Sequence, residues 1–312
     1  MTKEERVLAA KEQIQRYLYS YYPQWRLIEI LSIKKILENK YEFYSGIIDK
    51  YKQPDDNTGE ATITQEITNG LLFNAVSECL QYIEDLFLLI KFSQNVDFFI
   101  KNVVTYKAGE ITNFVKTFKI DSELACKYFH IPLVPESEWP NGTVKSVYKS
   151  GLECLTNKVT AILEYFNENK FFYNQYKHGL TIALRPFALF DDKSIKEKKD
   201  KPTSATLFAW DNLGIKKIMK SKDRFNGEIM FPLSPKVQPH LAALQQEDNL
   251  LRLVTNKEGK TSINDIVNCA LNVRSVLVVL IQNFASTLAD GKKEVWLPKE
   301  EKWITLEFNK VI

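Results

Sequence analysis

Apolar side chains recur every three to four residues along most of this chain, the period of helices that each bury one face. Between Thr64 and Phe92 the positions Leu72, Val76, Cys79, Ile83, Leu86 and Ile90 alternate spacings of four and three, which predicts a long buried helix. A second seam, Leu155, Val159, Ile162, Phe166, Tyr173, Tyr176 and Leu180, predicts a helix from about 145 to 179. A third, Ile266, Ala270, Val273, Leu277, Leu280 and Phe284, predicts one over 262–288. These three are expected to pack together, burying Leu72, Ile83, Ile90, Val159, Phe166, Val273 and Leu280. Residues 3–19 and 24–53 also read as helices, broken near Tyr22-Pro23, with shorter ones at about 95–118 and 121–128.

The pattern changes after Gly179, a residue suited to end a helix because glycine accepts the left-handed conformation found just past helix ends. Residues 181–190 and 203–211 read as strands of a hairpin joined by the lysine-rich run 193–201, and 227–233 and 250–254 supply further strand candidates. Residues 294–297 and 303–308 read as a closing hairpin. Loops are expected over 54–59 and over the proline-containing stretch 131–141. The expected fold is mainly α: a single domain over 1–312, with a helical bundle formed by 1–180 and 262–290, a small antiparallel β-rich insertion over 181–255 before the last long helix, and a C-terminal hairpin over 293–308.

Composition agrees with a globular chain able to bury a sizeable core, since 45% of its 312 residues are hydrophobic and 12% aromatic. The net charge of +3 does not by itself imply a nucleic-acid partner, although the positive excess falls in residues 181–312. The opening Met-Thr-Lys-Glu-Glu-Arg lacks the apolar region of a signal peptide, and the run Val276 to Ile281 is too short to span a bilayer, so the expected location is cytoplasmic, without a membrane. Cys79, Cys126, Cys154 and Cys269 are too widely separated for a Cys-x-x-Cys site; three of them fall within helical patterns and read as core residues. No cofactor or metal is expected.

Few motifs in the chain are candidates for chemistry. Val254-Thr255-Asn256-Lys257-Glu258-Gly259-Lys260-Thr261 resembles a phosphate-binding loop, but Val254 stands where the first glycine belongs and the chain lacks the alternating βαβ order. It reads as a β-to-α turn, with Thr261 or Ser262 as the helix N-cap. No zinc-protease, dinucleotide-binding or serine-hydrolase motif occurs. His130, which precedes Ile131-Pro132, and His240, which follows Pro239, read as packing or surface residues. The acidic pair Glu84-Asp85 would lie near His178 if the two long helices pack antiparallel, where a carboxylate would fix the imidazole tautomer.

The segment Tyr173-Asn174-Gln175-Tyr176-Lys177-His178-Gly179 places one of three histidines at a helix end. Asn167, Lys170, Asn174 and His178 follow one another at spacings of three and four, forming a polar row beside the apolar seam. This segment resembles the signature helix of the HEPN superfamily (higher eukaryotes and prokaryotes nucleotide-binding), whose motif is an arginine, often followed by asparagine, then a histidine after four to six intervening residues. Asn174 and His178 match; the permitted arginine places hold Tyr173, Phe172 and Phe171. The resemblance covers roughly the helices from 60 to 180 and a later one.

That resemblance implies a helical bundle, an RNA partner and metal-independent RNA cleavage of the kind used by bacterial toxin and defence systems. In it the ribose 2′-hydroxyl attacks its own phosphate, His178 moves a proton, Asn174 orients a partner, and Lys170 or Lys177 stands in for the missing guanidinium. A lysine offers a point charge rather than a planar fork. The resemblance also implies a two-fold homodimer, for which Phe171 or Phe172 would supply contact area. The alternative is a non-catalytic helical module for dimerisation or protein interaction; the loss of the arginine favours it, and the conjunction of His178, Asn174 and two lysines favours RNA cleavage.

Overall fold

A computed structural model describes residues 2–39, 42–44, 46, 60–132, 142–177, 182–183, 204–217, 250–289, 293–299 and 302–308. In chain order the elements are α1 (Lys3–Ser20), α2 (Trp25–Glu38), α3 (Glu60–Phe92), a 3-10 turn (Val96–Phe98), α4 (Phe99–Thr105), α5 (Ala108–Thr117), α6 (Ser122–Tyr128), α7 (Gly142–Lys177), β1 (Ile182–Ala183), β2 (Ser204–Lys217), β3 (Leu250–Ser262), α8 (Ile263–Leu288), β4 (Lys293–Lys299) and β5 (Lys302–Phe308). The fold is mainly α, with a small antiparallel β unit before the last long helix. The chain divides into two compact units, the first comprising Met1–Ser32, Glu78–Glu168 and Asn264–Ile312, the second Ile33–Ser77 and Asn169–Ile263.

Local sequence accounts for the element ends. Thr2 and Glu5 form a capping box on α1: the Thr2 hydroxyl accepts from the Glu5 N–H at 3.2 Å, and the Glu5 carboxylate accepts from the Thr2 N–H at 2.6 Å. Asp121 caps α6 by accepting from the Leu124 N–H at 2.8 Å. At its other end the Ile131 N–H reaches back to the Cys126 carbonyl at 2.9 Å, which throws His130 into the left-handed region at φ 53°. This is the turn that glycine usually makes.

In the first unit all three long helices contribute core residues, among them Ile83 and Ile90 from α3, Val159 and Phe166 from α7, and Val273 and Leu280 from α8, as their spacing predicts. They meet at Cys79, whose sulfur lies 3.8 Å from the Ile266 carbonyl and interacts with Cys269 and Tyr165. Burial pushes the Cys79 thiol well up. Lys158 Nζ donates to Asn272 Oδ1 at 2.9 Å, a second tie from α7 to α8.

The β4–β5 hairpin is antiparallel, pairing Val295 with Leu306 and Leu297 with Ile304. Buried Asn283 on α8 holds it: the side-chain amide donates to the Trp296 carbonyl at 2.9 Å and accepts from the Trp296 N–H at 2.7 Å. An otherwise costly buried amide is thereby satisfied on both sides. On the opposite strand the Trp303 indole N–H donates to the Ser275 carbonyl at 3.1 Å.

In the second unit Leu72 and Tyr173 are buried, and β1, β2 and β3 form an antiparallel sheet in that order. Ile182 pairs with Ala209, as the expected hairpin requires, while β2 pairs along most of its length with β3. Here the structure corrects the sequence reading: Val254–Thr261 is strand throughout, with Asn212 opposite Val254 and Ala205 opposite Thr261, so neither a phosphate loop nor a turn occurs there. The strand extends through Ser262 and α8 begins at Ile263, beyond the expected end of the β unit at 255. The helix expected over 95–118 is also divided, with α4 ending at Thr105 and α5 starting at Ala108. The strand candidate at 227–233 and the lysine run 193–201 lie outside the described residues.

Candidate functional site

The polar row sits on α7, which remains helical through Lys177. Asn167 is exposed, Lys170 half-buried and Asn169 buried, and each makes interactions within the protein. Tyr173, at one of the places where the HEPN motif carries arginine, is 3% exposed. Asn174 and Lys177 have helical backbone one turn beyond Lys170 and Tyr173, which preserves the spacing read from the sequence. The side chains of Phe171, Phe172, Asn174 and Lys177, together with His178, Gly179 and His240, lie outside the described residues. Among the expected site residues the structure therefore describes the side chain of Lys170 alone.

Asp85 pairs with Arg26, and its expected neighbour His178 lies outside the described residues. Arg26 Nε donates to Asp85 Oδ2 at 2.7 Å, while Nη1 donates to Glu78 Oε2 at 2.9 Å and Gln81 Oε1 at 3.1 Å. Burial raises the Asp85 carboxyl above its ordinary range and the Arg26 charge pulls it back. Burial alone would lower Arg26, but Asp85 and Glu78 hold it above its usual value. The neighbouring phenols of Tyr17, Tyr21 and Tyr106 are raised by burial and then by the Asp85 charge. Tyr82 is raised by burial as well and donates to the Pro23 carbonyl. These phenols stay protonated near neutral pH, so the cluster is a clamp rather than a source of general bases.

Arg274 is a second arginine of the first unit that the sequence reading passed over. Its guanidinium carbon lies 4.9 Å from the centre of the Trp303 ring, and its Nε is buried without a hydrogen-bond partner among the described residues. One signal was available: Arg274 is the sole charged residue between Ile266 and Leu288. Helix α8 is long and apolar enough to cross a membrane by length and composition, yet Val273, Val276, Leu277, Val279 and Leu280 are buried in the first unit.

His130 is a packing residue, as expected. Its ring stacks on Phe284 with centroids 4.8 Å apart, and Nε2 lies 2.9 Å from the Ser93 hydroxyl. Burial lowers its pKa to about 4, so it is neutral at pH 7. A surface groove of about 740 Å³ runs past Lys145, Lys149, Asp121 and Glu153, whose charges offset one another. Among the described residues no group of His, Cys, Asp and Glu is placed to hold a metal ion. No protein-family model, curated protein or solved structure matches the chain.

Proposed function

We propose that this chain is a HEPN-like, RNA-directed protein whose site is the polar row Lys170, Asn174, Lys177 and His178, and that it cleaves RNA without a metal. The observation that carries this reading is the unbroken helix through Lys177, which puts the half-buried Lys170 two turns from Lys177 along one helix. A continuous helix keeps a cation, an amide and a second cation at spacings of three and four, immediately before the histidine. In this reading His178 transfers the proton of the attacking 2′-hydroxyl, Asn174 orients the phosphate or the imidazole, and Lys170 and Lys177 stabilise the charge that builds on phosphate. The proposed setting is a bacterial toxin or defence system.

The burial of Tyr173 favours a second reading, a non-catalytic helical module. A side chain that fills the core at the arginine place leaves no guanidinium there to face a substrate. RNA binding tests the proposal: single-stranded RNA should bind with a strong salt dependence, and Lys170→Ala and Lys177→Ala should each flatten the log–log salt slope by about 0.7. Unchanged slopes in both variants, or no RNA binding at low salt, would favour the non-catalytic module.

A further inference from the structure

We draw no further inference here: the strongest candidate, the side-chain cluster on α8 where the half-buried Arg274 guanidinium stacks on Trp303 beside the buried Ser275 hydroxyl, carries none, because Nε and Oγ, unpaired among the described residues, are closed to solvent and nothing in the structure shows which acceptor covers the open edge.

Discussion

Arg26 and Asp85, fifty-nine residues apart in sequence, are joined by a 2.7 Å hydrogen bond between Nε and Oδ2. The same guanidinium serves Glu78 and Gln81, so one side chain on α2 fastens three positions spaced three and four residues apart along α3. Arg26→Ala would leave Asp85 buried beside Glu78 without a cation. Losing one partner of a buried ion pair costs about 3–5 kcal/mol, and the residual exposure here places the expected loss near the lower end, about 3 kcal/mol. Urea unfolding should show that loss for Arg26→Ala, and a smaller one for the double variant Arg26→Met/Asp85→Leu, which removes both charges. Equal losses in the two variants would contradict the clamp.

His130 should make the protein sensitive to mild acid. Its folded pKa of about 4 lies below the value of about 6.5 expected when unfolded, so the unfolded chain takes up the proton first. The contribution is fully present above about pH 6.5 and is lost as pH falls toward 4, to a total of about 3 kcal/mol. Unfolding midpoints followed from pH 7.5 to 4.5 should drop more steeply for wild type than for His130→Asn, which keeps a residue tolerant of the left-handed turn and removes the titrating ring. Parallel profiles would show that the imidazole is not desolvated as described.

Gly151 lies in the interior of α7, where glycine ordinarily costs about 1 kcal/mol relative to alanine. Its reason is the hairpin: a Cβ added there would stand 2.8 Å from the Cβ of Leu297 and 2.9 Å from its Cδ1. A clash between two Cβ atoms is not relieved by rotating a side chain. Gly151→Ala should therefore lower stability by about 1–3 kcal/mol despite its better helix propensity. A thermal melt at or above the wild-type temperature would mean that β4 does not pack against α7 at this point.

The long helices were legible because their seams are periodic and long: Cys79, Ile83 and Leu86 on α3 and Val273, Leu277 and Leu280 on α8 are all buried. Strand β3 was misread at Val254–Thr261 because local signals, an Asn, a Gly and three charges, argue for a turn, whereas pairing with β2 supplies the hydrogen bonds that keep it extended. The break between Thr105 and Ala108 carries no proline to announce it; the one nearby glycine, Gly109, falls just inside α5. At the candidate site, the inward placement of Tyr173 could be read from the seam, but the pairing of Asp85 could not. Its partner Arg26 lies fifty-nine residues away, and one sequence carries no sign of which distant cation a carboxylate meets. Asn283 was likewise invisible, since only the fold brings the edge of β4 to its amide.

The most direct measurement of the central claim is the cleavage of a labelled single-stranded RNA by the purified protein in EDTA, with wild type and His178→Ala compared at equal concentration. The RNA-directed reading predicts that wild type cuts and leaves 2′,3′-cyclic phosphate ends, while His178→Ala loses at least about 100-fold in rate, within the range for general acid–base catalysis, and keeps its melting temperature within a few degrees. Wild type that cuts none of a varied set of RNAs, together with a His178→Ala variant that chiefly melts earlier, would contradict it.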